Sequence, residues 1–477
     1  MKKILLLGVV AVIGITGCRK IEVDGDSSGT GNNGGNGNGN TGQTITLKGK
    51  ITKDTVLKAG NTNYLEGLVY ITNNATITIE AGAVVQGKYT DPIGGLIITR
   101  GAKINAVGTA DKPIVFTSAS PNPRSGDWAG IVLLGIAPTN ASYNGTAGLG
   151  EIEGGVNDAD GNGLYGKDKN GVTKADDSSG VMKYVRIQYA GYAFLPDKEI
   201  NSLTLGGVGN KTVIDHIQIT YAKDDGIEWF GGTVNCSYLI SYKTQDDDFD
   251  TDNGFSGRVQ FGLIIRDSLI ADLSNSEAFE SDNDANGSTL TPQTSAVFSN
   301  VTAIGPKATL TNKGSSLFLA GAHIRRNTQL SIYNSVFLGW PTGILIDASK
   351  GRATDLNMQD STLRLRYNII AGCDNALNYA ASGTPTGATQ ASVISWFTNP
   401  YFGNSILTNV SDAKFVNPFN YTNLDPTPFG TSPAATGASF DTAKDPKLTG
   451  FKVVTFRGGI APAGDDANWW RGWTIFN

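Results

Sequence analysis

Sulfur and imidazole are scarce in this 477-residue chain, which has three cysteines, three methionines and two histidines. No Cys-x-x-Cys pair or Cys/His cluster occurs, so a structural zinc site is excluded. Charge is also scarce. Only 17% of residues are Asp, Glu, Lys or Arg, against about a quarter in ordinary globular chains. The formal net charge of -5 argues against nucleic acid, which requires a basic surface. Helical periodicity is nearly absent, and no apolar run is long enough to cross a bilayer comfortably. A coiled coil and a multi-span membrane protein are therefore excluded. What abounds is glycine, 61 residues, well above the usual share of about 7%.

The N-terminus carries an address. Lys2 and Lys3 precede a short apolar stretch from Ile4 to Ile15, the layout of a secretory signal. The stretch ends Ile15-Thr16-Gly17-Cys18, which resembles a bacterial lipobox and implies a lipidated Cys18 after removal of residues 1–17. Gly29 to Gly42 contains only Gly, Asn and Thr. Such a segment has nothing to bury and behaves as a flexible coil, so residues 18–43 read as a leash, roughly 25–30 Å in root-mean-square reach. The folded body is expected over 44–477. Cys236 and Cys373 lie in strand-like runs and are expected as free thiols, with a disulfide as the alternative.

Internal repeats dominate the rest. Val181 opens VMKYVRIQYAG, Val213 opens VIDHIQITYAK and Val234 opens VNCSYLISYKT. This alignment puts Tyr189, Tyr221 and Tyr242 at one offset, and Tyr184, His216 and Ser237 at another. A second series, Asn300, Asn334 and Asn368, recurs every 34 residues or about that. Strands repeating so, with no helices to cross over, stack as a parallel β-helix in which each rung pairs only with its neighbours. The expected fold class is all-β, a solenoid of parallel strands with terminal caps. Trp469, Trp470, Trp473 and Phe476 are expected to cap the last rung.

Several segments sharpen this reading. Ile77 to Gly87 reads ITIEAGAVVQG, Leu96 to Ser118 reads LIITRGAKINAVGTADKPIVFTS, and Gly126 to Asn140 reads GDWAGIVLLGIAPTN. With DDGIEWFGGTVN from Asp224 and FRGGIAPAGDDANWWRGW from Phe456, the chain resembles Bacteroidota-type surface lipoproteins built on a right-handed parallel β-helix of the pectate-lyase-like superfamily. The resemblance covers nearly all residues after Thr44. It implies a cell-envelope protein, lipid-anchored and surface-exposed at the outer membrane. The implied roles are binding or scaffolding, with a polysaccharide or a TonB-dependent transporter as partner. Fold alone does not set function, so two alternatives stand beside it: a calcium-assisted polysaccharide lyase or glycoside hydrolase, and an adhesin or stalk.

An acidic series is the main chemical signal. Aligning Ile227, Phe249 and Phe279 as inward residues stacks Glu228, Asp250 and Glu280 on the opposite face. Asp225, Asp248, Asp252 and Asp282 accompany them as candidate cation ligands. Carboxylates about 4.8 Å apart repel and raise one another's pKa unless a cation sits among them, and calcium, which takes six to eight oxygens, suits such a wall. An enzyme would draw on Glu228, Asp250, Glu280, His323 and Arg325, since glycosidases use paired carboxyls and a lyase needs a base. Asp250-Thr251-Asp252 is faintly similar to the polygalacturonase pattern, but its companion Gly-His-Gly and Arg-Ile-Lys motifs are missing. Asp158, Asp160 and Asn162 form half of a calcium loop, with Lys169 where a bidentate Glu belongs. Trp229, Arg325 and Arg326 complete the candidates as ligand contacts, and Arg364 and Arg366 alternate in TLRLRYN.

Overall fold

Short runs of branched and aromatic residues, broken by glycine and asparagine, form strands that pair in parallel along nearly the whole chain. A computed structural model describes residues 42–195, 198–312 and 314–476. The expected leader, Cys18 and most of the leash lie outside the described residues. The main sheet joins 27 strands and winds around one apolar interior as three stacked faces per turn.

The register shows how the turns are built. Gly180–Gln188, Val213–Thr220, Asn235–Tyr242, Arg258–Ile265 and Val297–Ile304 pair in succession. Each crosses from the first face to the second at a single residue. These are Tyr184, His216, Tyr238, Phe261 and Asn300, all left-handed with φ between 51° and 65°. Bulky residues rarely adopt that conformation, at a cost of about 1–3 kcal/mol each. Stacking offsets part of it. Tyr184, His216, Tyr238 and Phe261 form a continuous column with ring centroids 4.3, 4.4 and 4.8 Å apart.

Two repeat alignments read from sequence slip by one residue. Val213 pairs with Asn235, not Val234. His216 therefore stacks on Tyr238 rather than over Ser237, and the left-handed column of Tyr189 and Tyr221 continues to Lys243, not Tyr242. In the asparagine series, Asn300 and Asn334 share the corner, but Tyr367 takes the third position. Asn368 lies beside Ser335 instead. There, amide hydrogens run in a ladder: Val301 N–H donates to Ser335 Oγ at 3.0 Å, Ser335 N–H to Asn368 Oδ1 at 2.9 Å, and Asn368 N–H to Asn404 Oδ1 at 2.9 Å.

The C-terminal tryptophans do not cap the last rung. That end is closed by the helix Gln390–Phe397, which sends Val393 and Phe397 into the core beside Leu365 and Leu377. The tail instead runs back along the first corner. Asn334 accepts Ser439 N–H at 2.9 Å, and Asn300 Nδ2 donates to Phe456 O at 2.9 Å. Gln260 brackets Lys452 through both backbone groups. Trp473 packs edge-on to Tyr184, and Ile475 exchanges hydrogen bonds with Gln218. Cys236 and Cys373 are free thiols.

Candidate functional site

The third face carries the acidic series. Its strands Leu203–Gly206, Ile227–Phe230, Phe249–Asp252, Phe279–Ser281 and Phe318–Ile324 stack in order. Ile227, Phe249 and Phe279 do point inward, and Glu228, Asp250 and Glu280 do form one outward column. His323 continues that column and Thr204 precedes it. Alternation supplies neighbouring columns. Asp252 stands beside Asp282 on one side, and Asp225, Asp247 and Glu277 stand on the other, where Asp225 accepts Asp247 N–H at 2.9 Å and Asp247 accepts Glu277 N–H at 2.6 Å.

Behind the wall lies an aromatic interior. Trp229, Phe249, Phe255, Phe279 and Phe298 are nearly or fully buried and contact one another. Trp229 alternates with Glu228 and faces this interior, so it offers no platform to a ligand. Asp248 is also inside. It is fully buried, accepts from Ser241 Oγ at 2.5 Å and pairs with the equally buried Arg266 at 3.1 Å. Burial raises its pKa to about 6 against the pull of Arg266. Asp248 is therefore a structural partner and leaves the set of outward cation ligands.

Burial also raises the outward carboxyls, reinforced by their neighbours. Asp246 reaches about 7, with Asp272 beside it, and Asp252 reaches about 8, with Asp282 beside it. Glu280 reaches about 8 despite Arg325. Asp224, Asp225, Glu228, Asp247 and Asp250 move well above the carboxylate range for the same reasons. Glu153, on the insertion between Leu134 and Gly180, rises to about 7 and shares a hydrogen bond with Glu228. Its side chain is exposed to solvent, beside the buried Glu228. Glu199 adds charge from a second excursion, between Gln188 and Leu203. Sequence spacing gave no route to Glu153 or Glu199, because each lies on a segment that interrupts the repeat. Asp224, Asp246, Asp247 and Glu277 were within reach, since each flanks a predicted rung.

Among the described residues, the cations paired with the wall's outward carboxylates gather at one end. Arg325 donates to Glu280 and, through Nε at 2.9 Å, to Asp282, and Arg326 donates to Asp282. His323 is clamped between Glu277 at 3.0 Å and Asp347 at 3.2 Å. Burial opposes its charge, but Asp347 and Glu277 outweigh burial and hold its pKa at about 9. His323 is thus an imidazolium at neutral pH, not a base. At the other end, Asp225, Glu228 and Asp250 bring oxygens within 4.8 Å of one another, as do Asp224, Asp225 and Asp246. Asn201 Nδ2 donates to Glu228, while Asp250 Oδ1 is buried without a hydrogen-bond partner. Glu277, Glu280 and His323 form a third such group.

The half calcium loop is already served by a side chain. Lys50, from the strand Thr44–Ile51, pairs with Asp158 at 2.9 Å and with Asp160. Asp158 Oδ1 accepts Asp160 N–H and Asn162 N–H, and its Oδ2 accepts Asn162 Nδ2 at 2.8 Å. The Lys50 ammonium thus already balances Asp158 and Asp160.

The winding of the strands and the acid-lined outer face define a class: parallel β-helix proteins. The sequence profile described as a pectate-lyase-like beta helix domain matches residues 49–394, and the chain belongs to that family. No curated protein matches it in sequence.

Proposed function

We propose that this chain is a lipid-anchored protein of the outer membrane, surface-exposed, that binds an oxygen-rich glycan through a cation-loaded acidic wall without cleaving it. The supporting observation is the group Asp225, Glu228 and Asp250, with oxygens within 4.8 Å and Asp250 Oδ1 unpartnered. Buried carboxylates must be protonated, paired or metal-bound. Oxygens on one calcium ion stand at most about 5 Å apart, twice the Ca–O length, and the oxygens of this group meet that limit. The group suits calcium, and Asp224 and Asp246 extend it through Asp225. Calcium there would neutralise the wall and offer its remaining positions to glycan hydroxyl or carboxylate oxygens. Catalysis is disfavoured by the state of the candidates: Arg325 is held by two carboxylates and His323 is protonated. Anchoring rests on Cys18 and the leash. Association with a TonB-dependent transporter rests on resemblance.

Isothermal titration of the full chain with calcium tests the reading, followed by acidic and neutral polysaccharides assayed for binding and cleavage. Calcium should bind, Asp250→Asn should weaken it at least tenfold, and glycans should bind without new reducing or unsaturated ends. Cleavage would make the chain an enzyme, and absence of calcium binding would remove the wall as the site.

A further inference from the structure

A second site lies on the first face, away from the acidic wall. Arg258, Val297, Ser331 and Arg364 are aligned across four successive rungs, so the two arginines stand about 14 Å apart at the backbone. Two residues earlier on each strand come Ser256, Ser295, Gln329 and Thr362, again facing outward by alternation. The returning tail lays Pro446 and Lys447 across them. Together they line a recess open to solvent, of about 420 Å³, within the range of small-molecule sites.

Its charge balance is the reverse of the wall's. Asp445 is nearly buried behind the cavity and is consumed by Arg364, by Arg366 at 3.1 Å and by Tyr333 Oη at 2.8 Å. Asp360 sits at the rim, bonded by the amide and hydroxyl of Thr362 and 3.7 Å from Arg352. Lys447 donates to Gln329 O, Ser331 Oγ and Thr362 O, all neutral. The Arg258 guanidinium, half-buried, has no acidic partner among the described residues. It lies against Gly450, 3.2 Å from where a Cβ would be, so a side chain at 450 would push it. Arg258 is therefore a cation without a carboxylate of its own, and Lys447, with Asp445 and Asp360 in its field, bonds only neutral groups, in a recess walled largely by hydroxyls and an amide.

We infer that this cavity binds a sugar-sized polyol bearing a tetrahedral oxyanion, a sulfate or phosphate ester, with Arg258 as the fork that grips the oxyanion and the serine, threonine and glutamine side chains reading the hydroxyls. Guanidinium matches such oxyanions in paired hydrogen bonds. Lys447 contributes field, since its three donors are occupied. Its own titration offers a handle, because burial and then Arg364 lower its pKa to about 8. A bound anion raises it, so binding near pH 8 takes up protons.

The site goes beyond the proposed function and is tested independently of it, with chelator present to silence the wall. Full-length chain is titrated calorimetrically with a hexose sulfate, a hexose phosphate, the parent hexose and inorganic sulfate, in two buffers of different ionisation enthalpy. One or both esters should bind, the stronger naming the source, and the parent hexose should not. Arg258→Gln should weaken binding at least tenfold, and Lys447→Met should abolish the proton uptake while retaining the wild-type thermal midpoint within a few degrees. Equal binding of ester and parent hexose overturns the anion assignment. Inorganic sulfate binding as tightly as the esters overturns the sugar assignment, and unchanged affinity in Arg258→Gln overturns the site.

Discussion

On the third face the rungs from Ile227 to Ser281 stack carboxylate upon carboxylate, while on the first face the same spacing stacks Arg258, Val297, Ser331 and Arg364. One scaffold thus holds an acid excess and a basic excess, and the two are finished differently. The acidic wall leaves its own members to share the charge, and among the described residues its paired cations stand at the His323 end. The basic cavity interleaves its charges with Val297 and serines, and the tail delivers Asp445 to neutralise the inner arginines. Parallel rungs multiply whatever a column contains. A column of one charge sign has to be relieved by protons or ions, and a mixed column does not.

The largest effect should come from Asp248, which the interior pairs with the fully buried Arg266. Arg266→Met leaves Asp248 buried without its partner and should cost about 3–5 kcal/mol, read from denaturant midpoints, while Asp248→Asn should cost less. A loss under about 1 kcal/mol would mean that Asp248 behaves like the wall and that the contrast between paired and unpaired acids fails.

The wall itself should respond to pH. The folded pKa values of Asp246, Asp252 and Glu280, about 7 to 8, exceed the unfolded values near 4. The folded state therefore holds protons that the unfolded state releases. Stability from these groups is complete below about pH 4 and is lost as pH rises through 7 to 8. In chelator, the thermal midpoint should fall between pH 5 and 9. Calcium at about a hundred times its Kd should restore roughly 2.7 kcal/mol at alkaline pH and release protons on binding near pH 7. A midpoint that is flat in chelator would break the comparison.

His323 gives a smaller, local signal. Its stability contribution is complete below about pH 6.5 and is lost as pH rises through about 9. The imidazole proton shift in NMR should titrate near 9 and move down in Asp347→Asn. Asp347 itself, lowered to about 2 mainly by His323 against the effect of burial, contributes stability present above about pH 4 and lost toward pH 2. The smallest effect is expected in the basic cavity. Arg258→Gln should change stability by no more than about 0.5 kcal/mol, because no carboxylate depends on Arg258.

Much of this was legible in the chain. Phe249 and Phe279, like Ile227, follow acidic turns and each precedes a carboxylate, so the inward column and the Glu228–Asp250–Glu280 column could be aligned by inspection. The Val234 alignment failed because a hydrophobic residue stands one place before the true start of the rung, and a one-residue slip exchanges faces. Asp248 was misplaced for a related reason: three consecutive aspartates look alike in sequence, but alternation sends one of them inward to Arg266. Lys50 in the Asp158 loop, Glu153 over Glu228 and Lys447 beside Arg258 were out of reach. Each joins segments separated by a hundred residues or by an insertion that breaks the repeat.

The returning tail changes the character of the solenoid. A stack in which every repeat touches only its neighbours is one-dimensional, and it can fray from either end a rung at a time. Here residues 439–475 fasten Asn334, Asn300, Gln260, Tyr184 and Gln218 to a single strap. A rung near the middle cannot open without straining contacts at both ends of that strap. The tail thereby converts a zipper into a closed belt, and the rungs bearing the acidic wall melt together instead of peeling away in turn.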